Sequence, residues 1–244
     1  MKTIDQIAQF FNDSEYFTGS VKLNENLAKH TTMHVGGSAK LFLEPENEES
    51  LIFAIKELDA DVRRLTQIKS FFVLGGGSNV IIGDDGLDAV ISTRKMNQIK
   101  FLTETTECTE DLIEGEALLD SESPLCPPKL CEEFKKILQV SAGSSWGNVI
   151  SFCKKNDLGG FESFTGLSGT VGGALFMNAT CFGLSACDNL ISVRYFDLTD
   201  GKIHEYQKND ADWGYKKSPF QNLLTTDYAD SSEGGVAGLS PQRG

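Results

Sequence analysis

A chain of 244 residues, 40% apolar and 23% charged, has room for one large globular domain or two small ones. Its net charge of −13 counts against a nucleic-acid partner, whose affinity rests on Lys and Arg neutralising phosphates. No run approaches the roughly 20 apolar residues of a membrane span, and Met1-Lys2-Thr3-Ile4-Asp5 opens no apolar signal core. The expectation is a cytoplasmic protein without membrane or nucleic-acid partners.

In chain order, Ile4, Ile7, Phe10 and Phe11 fall at helical spacing, so a short amphipathic helix is expected over 2–12. Residues 21–44 read as loop and strand, with a turn at Gly36-Gly37 and a strand over Ala39–Leu43. The acids of 46–50 then precede Leu51, Ile52, Ala54, Ile55 and Leu58, the pattern of a helix with acids at its N-terminal end. Phe71–Leu74 reads as a buried strand. Val80–Ile82 and Ala89–Ser92 read as short strands around a Gly83-Asp84-Asp85-Gly86 turn. Residues 103–134 carry ten acids against the single base Lys129, with prolines at 124, 127 and 128, and read as an acidic insertion. Ile137–Ala142 is expected as a strand, Ser145–Asn156 as a helix, and Leu190–Leu198 with Lys202–Tyr206 as a hairpin over Thr199-Asp200-Gly201. Residues 222–244 are expected to form a disordered tail, because Ser, Gly and Asp dominate it.

Two glycine-rich loops carry the functional signal. Gly75-Gly76-Gly77-Ser78-Asn79 follows the first buried strand, and Gly166-Leu167-Ser168-Gly169-Thr170-Val171-Gly172-Gly173-Ala174 leads into Phe176-Met177-Asn178-Ala179. Glycines at this density let another body approach the main chain, and successive exposed amides accept an anion such as a phosphate. The common fingerprints fail. A dinucleotide G-x-G-x-x-G needs glycine where Val80 stands, and no Gly-Lys-Ser/Thr occurs for a P-loop. Cys126 and Cys131 are separated by four residues with no matching second pair, and His30, His34 and His204 are scattered. No metal site is expected, and the six cysteines are expected as free thiols.

Six segments stand in a telling order: Thr31-Thr32-Met33-His34-Val35-Gly36-Gly37-Ser38-Ala39, Leu74–Asn79, Ala142-Gly143-Ser144-Ser145-Trp146, 166–174, Met177-Asn178-Ala179 and Gly214-Tyr215-Lys216-Lys217-Ser218-Pro219-Phe220. Together they resemble the UDP-N-acetylenolpyruvoylglucosamine reductase (MurB) family of bacterial cell-wall synthesis, from about Asn24 to Gln221 apart from the acidic insertion. The resemblance implies an α+β, two-subdomain FAD-binding fold of the vanillyl-alcohol-oxidase (PCMH) type. The subdomains would be 21–95 and 96–221, after an N-terminal helix over 1–20. FAD would lie between Gly75, Gly76, Gly77, Ser78 and Asn79 on one side and Gly166, Gly169, Thr170, Gly172, Gly173 and Asn178 on the other.

The resemblance further implies NADPH-dependent, FAD-mediated reduction of UDP-N-acetylglucosamine enolpyruvate to UDP-N-acetylmuramate. The family's Tyr-Arg-x-Ser motif reads Tyr215-Lys216-Lys217-Ser218 here. Lys216 then stands as the catalytic cation, without the planar fork of arginine, and Tyr215 and Ser218 stand as substrate-binding residues. The family's usual proline in the second loop is Ser168, and Phe182 stands where tyrosine is more usual. The likeness stops near Gln221, so the family's third domain, with its proton-donating serine and assisting glutamate, is expected to be missing. Two alternatives stay open: a non-catalytic FAD-binding fragment, or a flavin-linked oxidase of the same superfamily.

Overall fold

The computed structural model describes residues 2–64, 67–102 and 137–224. The acidic insertion and residues 225–244 of the expected tail lie outside the described residues, while residues 222–224 close a 3₁₀ turn over Pro219–Leu224. The chain divides into two compact units, one of residues 1–98 with 140–244 and one of residues 99–139. The second holds β5 (Ile99–Leu102), which pairs with β6 (Ile137–Val140).

The first unit is mixed α/β and begins with α1 (Ile4–Asp13). Thr3 caps this helix, accepting from the Gln6 amide while the Gln6 side chain accepts from the Thr3 amide, a complete capping box. β1 (Gly19–Asn26), β2 (Ser38–Pro45), β3 (Phe71–Leu74) and β4 (Leu87–Ser92) form one sheet in the order β1-β2-β4-β3. The β1–β2 pair is antiparallel, and both pairs involving β4 are parallel. α2 (Glu48–Arg63) connects β2 to β3, its N-terminus capped by Asn47 accepting from the Ser50 amide.

The two central strands are covered on both faces, which is why their sequences are continuous apolar runs. Leu41, Leu43, Ala89 and Ile91 pack with Ile7 and Phe11 of α1 and with Ala54, Ile55 and Leu58 of α2. Phe42 and Val90 pack on the opposite side with Leu27, Leu74 and Ile82. Two expectations are corrected here. In Phe71–Leu74 only Leu74 is buried, because β3 is an edge strand. Val80–Ile82 forms no strand: Ile82 anchors an irregular segment in the core, while the Gly83 carbonyl accepts from the Gly37 and Gly86 amides.

The rest of this unit carries α3 (Trp146–Lys155), α4 (Val171–Phe176), a tight hairpin of β7 (Thr180–Cys181) and β8 (Leu184–Ser185), and the antiparallel pair β9 (Ser192–Asp197) and β10 (Lys202–Gln207). Trp146 is buried and stacks on Phe164, with ring centroids 4.3 Å apart. No helix among the described residues is long and apolar enough to cross a membrane.

Candidate functional site

β3 and β4 run parallel and end side by side, so the loops leaving them meet at one edge of the sheet. The first loop, Gly75–Asn79, is held from below. Gly77 has φ +69°, and a Cβ there would overlap the His30 carbonyl oxygen. Its own carbonyl accepts from the Thr32 amide at 3.0 Å. Arg94, two residues past β4, donates from Nη2 to the Gly76 carbonyl at 2.7 Å and to the His30 carbonyl at 3.3 Å.

The second loop meets the first directly. A Cβ on Gly76 would overlap Cα of Gly169, and one on Gly75 would lie 2.6 Å from Oγ1 of Thr170. The Ser78 hydroxyl donates to the Ser168 carbonyl at 3.2 Å. The body that approaches the glycine main chain at Gly76 is therefore the other glycine loop. Thr170 is buried and caps α4, its Oγ1 accepting from the Gly173 amide at 3.5 Å.

A third segment, Ala142–Ser145, braces the second. The Val171 and Gly172 amides donate to the Ser144 and Ala142 carbonyls, both at 2.8 Å. The Gly143 amide donates to the Met96 carbonyl at 3.0 Å, tying this segment to the chain after β4. Ser145 caps α3, its hydroxyl accepting from the Asn148 amide.

These three loops and the chain after β4 form an open cavity of about 310 Å³, lined by Gly76, Arg94, Asn97, Gly143, Ser145, Asn148, Gly169 and Thr170. That volume is at the lower end of ligand-binding clefts. Among the described residues, no carboxylate lines it, although the chain as a whole carries −13. Arg94 is the one charged residue that lines it among the described residues. Among the described residues, no protein group accepts from the backbone amides of Gly75–Asn79, Gly169 or Thr170. Unpartnered amides, two hydroxyls, two carboxamides and one guanidinium make a donor set suited to an anion, and to a diphosphate above all.

The predicted residues fall into three groups. Gly76, Gly169 and Thr170 line the cavity, with Gly75, Gly77, Ser78 and Asn79 in the same loop as Gly76, and Gly172 and Gly173 at the first turn of α4. Gly166 stands apart with φ +85° and open space about it. Asn178 and Ser218 are buried and bind protein. Asn178 donates to the Gly214 carbonyl at 2.8 Å and accepts from the Cys187 amide at 3.3 Å, while Ser218 donates to the Phe176 carbonyl at 2.7 Å.

These bonds fasten a tight turn in which Gly214 and Lys217 exchange backbone hydrogen bonds at 3.0 and 3.1 Å. Tyr215, 82% exposed, and Lys216 occupy its tip, with the Lys216 ammonium 5.6 Å from the Tyr215 ring centroid. Lys216 takes φ +52°, a left-handed backbone uncommon outside glycine, so the turn is fixed by what surrounds it. Tyr195 of β9 and Tyr206 of β10 cluster with Trp213 and Phe220, which flank the turn in sequence.

Arg94, Asn97, Gly143, Ser145 and Asn148 line the cavity but escaped sequence reasoning as site residues. The Ala142–Trp146 segment carried the signal for two of them. A cation just past a strand parallel to the one feeding the glycine loop carried the signal for Arg94.

No family model matches the chain. A search of curated proteins finds UDP-N-acetylenolpyruvoylglucosamine reductases. That of Treponema denticola is 31% identical over 214 residues, covering 86% of this chain and 56% of its own. That of Borreliella burgdorferi is 35% identical over 202 residues, covering 81% of this chain and 53% of its own. This chain is related to the UDP-N-acetylenolpyruvoylglucosamine reductases. It spans about half the length of the reductases it matches. Among solved structures, the reductase (MurB) of Thermus caldophilus is similar at 22% identity with a TM-score of 0.49, covering 83% of this chain and 57% of that one.

Proposed function

We propose that this chain holds FAD between its two glycine loops and serves the NADPH-dependent reduction of UDP-N-acetylglucosamine enolpyruvate to UDP-N-acetylmuramate. One observation carries the reading: both loops and the Ala142–Ser145 segment meet around one cavity that, among the described residues, is lined by unpartnered amides and a guanidinium and by no acid, in a chain related to these reductases along most of its length. The finer fold assignment, a two-subdomain PCMH-type cradle of 21–95 and 96–221, belongs to this proposal, as do an intracellular location and a role in cell-wall synthesis.

Bound flavin would supply the hydride chemistry, relaying two electrons from NADPH to an acceptor. The residues of this chain supply position and charge. Gly75–Asn79, Gly169 and Thr170 would offer amides to the diphosphate, and Gly172 and Gly173 would let the cofactor approach the start of α4. Reduction of an enol ether conjugated to a carboxylate builds negative charge on that carboxylate, and a preorganised cation lowers the barrier. Lys216 is the candidate for this role. Its left-handed backbone and the Asn178 and Ser218 bonds beneath the turn fix where its ammonium starts. Tyr215, exposed beside it, is the candidate for direct contact with substrate. Ser218 contributes by anchoring the turn.

The test is NADPH oxidation by the purified, FAD-loaded chain with and without the enolpyruvyl nucleotide. Substrate-dependent oxidation that falls at least tenfold in Lys216→Met and is partly retained in Lys216→Arg supports the reading. Flavin binding with no substrate-dependent oxidation would reduce it to a non-catalytic flavin-binding role.

A further inference from the structure

The turn that carries Tyr215 and Lys216 hangs from the far end of α4. Three consecutive residues there, Phe176, Met177 and Asn178, each grip a different residue of the 214–221 segment. The Phe176 carbonyl accepts from the Ser218 hydroxyl at 2.7 Å, and Asn178 Nδ2 donates to the Gly214 carbonyl at 2.8 Å. The sulfur of Met177, which closes the C-terminal end of α4, lies 3.7 Å from Gln221 Nε2. Of these three grips, the one through Gln221 also reaches the tip: the same Nε2 donates to the Lys216 carbonyl at 3.0 Å. A carboxamide nitrogen carries two hydrogens, enough for both partners. Lys216 is also the strained residue of the turn. Of its two central residues, Lys216 alone has a positive φ, +52°, at the position where a type II turn favours glycine or asparagine. Such a backbone persists where its surroundings over-determine it.

The geometry points to Gln221 as a positioning residue for the reduction. Its carboxamide holds the Lys216 peptide in the left-handed turn and, through Met177, fixes that peptide relative to α4. The inference rests on the reductase reading and deepens it: it names what keeps the candidate cation in place. Asn178 and Ser218 fasten the base of the turn, whereas Gln221 fastens the strained residue itself. Without that bond Lys216 relaxes toward a right-handed backbone, and its side chain leaves Cα in another direction. A charge that must reorient during the reaction loses the advantage of being preorganised. The effect therefore falls on turnover rather than on cofactor affinity, since neither Gln221 nor Lys216 is among the described residues that line the cavity.

The experiment is a double-mutant cycle on the full, FAD-loaded chain: Gln221→Met, Lys216→Met and both together, assayed with NADPH and the enolpyruvyl nucleotide. Methionine approximates the length of glutamine but has no donor. Misplacing the cation should lower kcat roughly tenfold or more in Gln221→Met, with FAD affinity unchanged. In the Lys216→Met background the same substitution should change kcat by less than about twofold, because the two residues act as a unit. Hydrogen exchange gives a readout apart from activity: the Gly214 and Lys217 amides, whose bonds close the turn, should exchange roughly tenfold faster in Gln221→Met. Equal kcat losses in both backgrounds would make Gln221 a support of the fold alone and overturn the inference. So would unchanged kcat, unchanged exchange, or a matching loss of FAD affinity. If Gln221→Met fails to fold, Gln221→Glu, of the same shape and without a donor when ionised, takes its place; failure of both to fold also overturns the inference. Absence of substrate-dependent oxidation by the unaltered chain would instead overturn the reductase reading, and this role with it. That failure shows before any substitution and is told apart by it.

Discussion

Gly76 and Gly77 sit in one loop but are glycine for different reasons. At Gly77 the backbone is left-handed and a Cβ would overlap the His30 carbonyl. At Gly76 the backbone is ordinary, but a Cβ would overlap the second loop at Gly169. Gly77→Ala should therefore cost at least about 2 kcal/mol, from the left-handed backbone and the overlap together. Gly166→Ala, with open space around it, should cost only the backbone part, about 1–2 kcal/mol. Urea unfolding of the two variants checks the order, and a larger loss at Gly166 would contradict it. Asn178 and Ser218 make the matching argument for the turn. Asn178→Leu strands the Cys187 amide and removes one of the two bonds to the Gly214 carbonyl, and a buried unsatisfied group costs about 1–3 kcal/mol. That loss should exceed the loss from Ser218→Ala, which strands only the Phe176 carbonyl. Sequence alone marked both residues as ligand contacts, because buried polar residues that tie loops together sit in the same motifs as residues that touch a ligand.

The turn of Leu27–His30, a single 3₁₀ turn after β1, carries the first glycine loop on its carbonyls. It is pinned by the His30 ring, which lies 4.4 Å from the Phe42 ring centroid and 2.9 Å through Nε2 from the Glu25 carboxylate. The hydrogen bond to His30 holds the Glu25 carboxyl below the ordinary carboxylate range. Stability from this pair is then fully present above the ordinary carboxylate pKa and lost as pH falls through the lowered folded value. Glu25→Gln should flatten the acid limb of the stability curve, measured as urea midpoints between pH 7 and pH 3; an unchanged slope would contradict the assignment. The elements that sequence made legible are those with a continuous apolar run, a helical spacing or a turn signal. β3 was read to the residue, α1, α2 and α3 to within a few residues, and the β9–β10 pairing was found from its turn. β1 was missed because it is an edge strand with mixed burial, so Gly19–Asn26 shows little alternation. The strand expected at Val80–Ile82 failed for the opposite reason. Its apolar residues anchor one point of an irregular segment, a role that periodicity does not distinguish from a strand.

At the scale of the whole molecule, the sheet serves to bring chain segments distant in sequence to one edge. Parallel β3 and β4 deliver Gly75–Asn79 and Arg94 together, and the Met96 and Gln98 carbonyls then hold Ala142–Ser145, which braces the second glycine loop. The described residues that line the cavity lie within 76–97 and 143–170 of the first compact unit. The pairing of the two loops was legible as a resemblance. Their direct contact through Gly76 and Gly169 was not, because nothing in a single sequence says which backbone a glycine must let past. The most direct test of the central claim is titration of the purified chain with FAD, followed by flavin fluorescence. Saturable quenching at one FAD per chain, strongly weakened in Gly76→Val, is the predicted result. Fluorescence that stays that of free FAD throughout the titration would contradict the account.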